Sequence, residues 1–355
     1  MKGRIMGLVI LVLVIAAALA YQTFLGPKLR KIVVDGYLGG EKSGLFEDER
    51  FTGAMLKKYG LVIHYKKAGS IDMVSAPREG MDYLFPSSFT ALELYKQKYG
   101  AAYKRAELVF NSPIVLYTRK PVAEAFKKQG WIHTEDETEY IDLLKLINAV
   151  SSDTKWSAIG LDELYGNMYV ISTDPLKSNS GNMFAGLVAN MLNGGEVAGG
   201  ESLERTGGEL KRFFSKLGYL ETSSADIFNS FLKTGIGAKP VIVGYESQIL
   251  EFSVERPADW SYVKDDIVVL YPEPTVWSAH PFIALTENGN RVIDALLETE
   301  MQAMAWETHG FRTGIASEQG LNKSFDIKGV PGQVKKVIQL PNPDTMQKIM
   351  DIIAN

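Results

Sequence analysis

The sequence predicts an α/β protein of about two domains with largely parallel sheets. Three observations carry that prediction. Short apolar runs alternate with segments of helical period from residue 32 to the end of the chain. Several of these runs end in Gly- or Ser-rich loops that open a helix, the order expected of parallel strand–helix units. The length of 355 residues is also about twice that of an average domain. There is no internal repeat.

The elements follow in order. Ile32, Val33 and Val34 form a strand that feeds loop 36–44, which holds four glycines together with Glu41, Lys42 and Ser43. A helix spans 48–59 and stops at Gly60, as a C′ glycine requires; 61–65 is the next strand. Residues 83–85 run into Pro86-Ser87-Ser88 and a helix over 89–99. A strand at 114–117 precedes a helix that Pro121 opens and that ends at 128. Residues 141–150 read as helix, 168–171 as strand and 182–192 as helix. The six glycines in 193–208 make that stretch an exposed loop. Strands follow at 241–243, 267–270 and 282–285, with a helix starting at 248. One long helix covers 292–309, and 343–354 is a terminal helix.

Composition removes several function classes. Hydrophobic residues at 46% and charged residues at 23% describe a packed chain, not a disordered one. The absence of cysteine excludes a disulfide scaffold, a cysteine-ligated metal, a thiol nucleophile and a cysteine-linked lipid anchor. With 38 basic against 42 acidic side chains, nucleic-acid binding has no basic footprint. The four histidines form no H-x-x-x-H pair, so no metal is expected. No glycine-rich nucleotide motif occurs, so no cofactor is expected either.

The first 31 residues stand apart. Lys2 and Arg4 precede an uncharged apolar stretch that continues through Leu25. Segment 1–31 reads as a signal peptide or an N-terminal membrane anchor, since about 20 apolar residues suffice to cross a bilayer. Both readings export residues 32–355 to the cell envelope, anchored in the second case by 5–25. Lys28, Arg30 and Lys31 argue for the opposite orientation, because positive flanks prefer the cytoplasmic side.

The segment with the most chemistry is 172–182 (STDPLKSNSGN). A strand enters it and an amphipathic helix leaves it, with Met183, Phe184, Leu187, Val188, Met191 and Leu192 on one face. A helix start with Ser178, Asn179, Ser180 and Gly181 offers backbone N–H groups and hydroxyls to an anion; taken alone, the segment reads first as ordinary capping of a surface helix. Glu41-Lys42-Ser43, Ser87-Ser88 and Tyr245-Glu246 also follow strands, and ligands of open α/β sheets bind beyond such strand ends. The strings at Ser152 and Lys155, at Ser180 and Asn182, and at Lys233 and Gly235 suggest a serine hydrolase or transpeptidase. The first and last lie in loop-like sequence, where that chemistry is not expected. His280, Trp277 and Tyr245 sit at strand ends, where hinge or core roles compete with ligand contact.

The residues at 31–43, 82–88, 112–120 (SPIVLYTRK), 174–187 (DPLKSNSGNMFAGL), 239–250 (KPVIVGYESQIL) and 280–285 (HPFIAL), with the ending His309-Gly310-Phe311, together resemble one family. It is the type 2 periplasmic solute-binding proteins of ABC transporters, in the molybdate, sulfate and phosphate branch. The resemblance implies two α/β lobes joined by two crossing strands, here 112–120 and 280–286. Lobe I would hold 32–115 and 283–355, and lobe II 116–282. It implies a monomeric, non-enzymatic protein that captures a small anionic solute by lobe closure and presents it to an ABC permease. A tethered envelope sensor or interaction protein on the same fold is the alternative. The ligand loops would supply Glu41, Lys42, Ser43, Ser87, Ser88, Ser178, Asn179, Ser180, Gly181, Tyr245 and Glu246. Glu41 departs from the simple hydroxyl pattern, since a carboxylate repels an oxyanion; Lys42 offsets it, or the pair reads an organic or zwitterionic ligand.

Overall fold

The computed structural model describes Val14 and residues 30–355, except 219, 222, 314–324 and 326. The hydrophobic helix expected over 5–25 therefore lies outside the described residues, Val14 apart. Among the described residues no helix is long and apolar enough to cross a membrane.

Among the described residues ten strands form the frame: β1 (Ile32–Leu38), β2 (Leu61–Lys67), β3 (Tyr83–Phe85), β4 (Arg105–Arg119), β5 (Ile132–Glu135), β6 (Thr138–Ile141), β7 (Val241–Tyr245), β8 (Ile267–Pro272), β9 (Trp277–Ala284) and β10 (Arg312–Thr313). The path runs β2-β1-β3-β9-β4-β8-β6-β5, with β7 and β10 also on β4. Strand β4 belongs to two sheets. Its residues 105–113 pair with β9, and its residues 114–119 pair with β7 and β8. It thus carries the chain from one lobe to the other, and the turn from β8 into β9 brings it back.

Period-two alternation sorts the side chains of each sheet onto two cores. In the first sheet Val34, Leu38, Tyr83, Phe85 and Phe282 face helices Glu287–Leu296 and Thr299–His309, while Tyr37, Leu84 and Ile283 face helices Ser70–Ser75 and Phe89–Tyr99. In the second, Ile114, Leu116, Val243 and Leu270 lie on one face, and Val115, Tyr117, Ile242 and Val269 on the other. Each lobe is a sheet covered by helices on both sides, which explains the near-continuous burial of β4 and β9.

Several sequence expectations change. The sheets are mixed: three strand pairings are parallel and six antiparallel. The cause is β4, which runs against each of its four partners. The loop expected over 193–208 is largely the helix Gly200–Ser215. Its Gly207 lies against Ile352, where a Cβ would come within 3.2 Å of Cδ1, so packing selects glycine inside a helix. The strand expected over 168–171 is reduced to one bridge from Ile171 to Ile242. Helix 292–309 is two helices, Glu287–Leu296 and Thr299–His309. Helix 141–150 begins later, at Leu143, because Asp142 caps it and Thr138–Ile141 pairs as a hairpin with β5. Terminal helix Pro343–Ala354 was expected in the first lobe. It packs mainly on helices Asn179–Leu192 and Gly200–Ser215 and also touches Phe89–Tyr99, burying Met346, Ile349 and Met350 in the core of the second sheet.

Candidate ligand-binding cleft

Strands β1, β2 and β7 end at a common cavity of about 490 Å³. Gly39, Gly40, Glu41, Lys67, Gly69 and Ser70 line it from the first lobe; Lys177, Ser178, Asn179, Ser223, Ser224, Asp226 and Tyr245 line it from the second. This is the crevice beyond the strand ends where open α/β sheets bind ligands. A larger hollow of about 920 Å³ lies among Phe89, Leu108, Trp277, Ile338, Leu340 and Pro341. Its walls are mainly apolar and bring no such set of hydroxyls and charges together, so the smaller cavity is the stronger site candidate. Trp277 thus faces the larger hollow and Tyr245 the cleft.

The cleft floor is a buried charge network. Lys42 is fully buried. Its Nζ donates to Glu41 Oε1 and, at 2.8 Å, to Ser87 Oγ, lies 3.2 Å from His280 Nδ1, and sits over the Phe85 ring at 4.8 Å. Ser87 Oγ also donates to Glu41 Oε1. His280 Nε2 meets Ser278 Oγ at 3.1 Å, and Ser278 Oγ donates to Ser87 O at 2.8 Å. Burial opposes charge on Glu41, but Lys42, His280 and the Ser87 hydroxyl hold its carboxyl down to about 2. Burial, then the Lys42 charge, push His280 well below its usual range against the pull of Glu41, so the ring is neutral at pH 7. Glu41 is therefore an ionised carboxylate with its ammonium partner behind it and the cavity in front. His280 makes these bonds to the side chains of Lys42 and Ser278.

The facing wall is the start of helix Asn179–Leu192. Ser178 is its N-cap residue but makes no side-chain capping bond, so no N-cap hydroxyl occupies the first-turn N–H groups. The Ser178 hydroxyl instead meets Ser180 Oγ at 3.1 Å, and Ser180 Oγ meets Thr173 Oγ1 at 2.7 Å. Neither partner is a base, which leaves Ser180 without the activation a serine nucleophile needs. Asn179 Nδ2 reaches across the cleft to Ser87 O at 3.0 Å and, within its own lobe, donates to Tyr245 Oη at 3.1 Å. Its Oδ1 is buried with no hydrogen-bond partner among the described residues. Burial, then the Glu41 charge, push the Tyr245 phenol upward, so it stays protonated.

Gly181 packs closely on the chain itself: a Cβ there would lie 2.3 Å from Thr173 O and 2.8 Å from Thr173 C. Gly181→Ala must displace backbone. Its expected cost is about 1–3 kcal/mol in urea unfolding, and an unchanged midpoint would show that the 173–181 turn can yield.

The remaining candidates divide by burial. Glu41, Ser178, Asn179 and Tyr245 line the cavity; Lys42, Ser87, Ser180 and Gly181 lie directly behind that lining. Ser43 is buried. Ser88 is a helix cap, accepting from Thr90 N at 3.0 Å. Glu246 does not reach the cleft; it is fully buried in an ion pair with Arg312. Sequence reasoning missed Lys67, Ser70, Lys177, Ser223, Ser224 and Asp226. The signal for Ser223 was present: Ile227, Phe228, Phe231 and Leu232 recur at helical spacing after it. Ser223 accepts from Asp226 N and caps helix Ser224–Lys233. Ser223→Ala should cost about 1 kcal/mol, measured by thermal unfolding, with helix Ser224–Lys233 the first to lose hydrogen-exchange protection.

The fold defines a class: two α/β lobes joined by strands with a polar cleft between them, the architecture of extracellular solute-binding proteins. No protein-family model and no curated protein sequence matches the chain. Solved structures do match. The sulfate-binding protein SubI from Mycobacterium tuberculosis H37Rv shares 14% identity at a TM-score of 0.53, over 87% of this chain and 94% of that one. An ABC transporter structure from Clostridium perfringens shares 14% at 0.53, over 90% and 96%. The Trichodesmium protein IdiA (FutA), in complex with iron and citrate, shares 11% at 0.51, over 91% and 98%. At such identities the likeness establishes the fold. One of these neighbours is named for sulfate and another was solved with iron and citrate, so the ligand of this chain has to be argued from its own site.

Proposed function

We propose that this chain is an extracytoplasmic solute-binding protein. It captures a small solute carrying an anionic group between its lobes and delivers it to an ABC-type permease. The observation that carries this reading is the cavity of about 490 Å³ lined from both lobes by strand-end and helix-start residues. The N–H groups at the start of helix Asn179–Leu192, which Ser178 does not cap with its side chain, together with the Ser178 hydroxyl suit the anionic group. The hydrogen bond from Asn179 to Ser87 O, joining the lobes at 3.0 Å, suits closure over a bound molecule. In this reading the first lobe comprises 32–113 and 277–313. The second comprises 114–276 with the terminal helix. The protein works at the cell envelope, exported by residues 1–31, and its activity is binding, not catalysis.

A thermal-shift panel of sulfate, molybdate, phosphate, phosphonates, sugars and amino acids tests it. A ligand at 100 times its dissociation constant stabilises by roughly 2.7 kcal/mol, a shift of degrees. Loss of that shift in Asn179→Ala, with the unliganded midpoint nearly unchanged, places the ligand in the cleft. No shift with any compound counts against solute capture.

A further inference from the structure

The cleft, if it captures solutes as proposed above, asks for hydrogen-bond donors where a simple oxyanion has none. Glu41 lines the cavity with its side chain nine-tenths buried. Oε1 is saturated by Lys42 and Ser87, and among the described residues nothing donates to Oε2. Asn179 lines the same cavity, and its Oδ1 is a second acceptor, buried and without a partner. The orientation of that amide is set by Ser87 O, an acceptor that requires the NH₂ end. An ionised carboxylate and an amide oxygen can only accept. A fully deprotonated oxyanion can only accept as well, so placing it there would leave both protein groups unsatisfied and add like-charge repulsion.

We infer that the solute is a zwitterion whose protonated amine sits between Glu41 and Asn179. An ammonium has three donors, enough for Glu41 Oε2 and Asn179 Oδ1. The anionic end then belongs at the uncapped start of helix Asn179–Leu192, near Lys177, Ser178, Ser223 and Ser224. Lys42 makes this workable. It neutralises the Glu41 charge from behind, so the floor keeps a directional acceptor without a net charge that would repel the anionic half.

The test is calorimetric titration of the full chain with probes differing only in the amine: 2-aminoethylphosphonate against ethylphosphonate, and β-alanine against propionate, with sulfate and ethylamine as single-charge controls. One aminated probe is expected to bind roughly 10- to 100-fold tighter than its amine-free partner, the worth of a charge-assisted hydrogen bond. Because this comparison uses the unaltered protein, it does not depend on a variant folding. Glu41→Gln with Lys42→Met, which removes both charges together, should abolish the preference for the amine. Equal affinity of the paired probes, or tight sulfate binding, overturns the zwitterion inference and leaves solute capture standing. Ethylamine binding as well as the zwitterions overturns the anionic half. Silence from every probe in a folded sample overturns solute capture, and this inference with it.

Discussion

Arg312→Ala is expected to destabilise the protein by about 3–5 kcal/mol, the cost of leaving one member of a buried ion pair alone. Glu246 is fully buried. Arg312 grips its two carboxylate oxygens from Nε at 2.7 Å and Nη2 at 2.9 Å, and Tyr271 Oη donates to Oε2 at 2.6 Å. The same guanidinium donates to the carbonyls of Gly332 and Pro331 at 2.8 and 2.7 Å, tying the start of β10 to the chain beyond residue 330. Truncation strands a carboxylate and frees two carbonyls. Arg312→Lys should recover little, since an ammonium cannot reproduce the planar fork. Urea unfolding measures both; a loss below about 1 kcal/mol for Arg312→Ala would mean that water reaches Glu246 and the pair is not sealed.

The second large effect concerns Lys42→Met, expected to cost about 3 kcal/mol at pH 7 because Glu41 keeps its buried position but loses its cation. The pH dependence identifies the cause. In the parent, Glu41 falls from 4.5 to about 2 on folding. A depressed carboxyl contributes stability that is present above its unfolded value, and that contribution is lost as the pH falls from about 4.5 through about 2. Without Lys42 the burial cost is no longer offset, so the carboxyl rises and Glu41 destabilises the fold most where it is ionised. The gap between parent and variant should therefore be widest near neutrality and should close below pH 4.5. A gap that stays constant down to pH 2 would assign the loss to packing over Phe85. Adding Glu41→Gln to Lys42→Met should restore most of the stability, since exchanging both partners removes the unpaired charge.

The parts legible in the sequence are those set by short-range rules. The helix after loop 36–44 was readable from Asp48 and Gly60, and the structure has Asp48 capping at Arg50 N and Gly60 at φ 68°. The helix with Ser178 at its start was readable from the spacing of Met183, Phe184, Leu187 and Val188. Glu41 was visible as a departure from a hydroxyl-only loop. Glu246 was misjudged because adjacent residues at a strand-to-helix turn diverge: Tyr245 turns to the cleft and Glu246 to Arg312, 66 positions away. No local pattern encodes that partner. The helix Gly200–Ser215 was hidden for a similar reason. Its glycines lower helix propensity, and the terminal helix against Gly207 compensates.

By itself the sequence determined the α/β class, the strand ends with hydroxyl-rich loops, and an anion-suited helix start, because periodicity and capping act within a few residues. The tertiary structure alone decided that β4 serves both sheets, that the terminal helix joins the second core, and that Lys42 lies sealed behind Glu41 with Asn179 lining the same cavity. Those outcomes depend on which distant groups share a buried volume. Burial then turns the Glu41–Lys42 neighbours into a fixed pair, with a carboxylate toward the cleft and its ammonium behind.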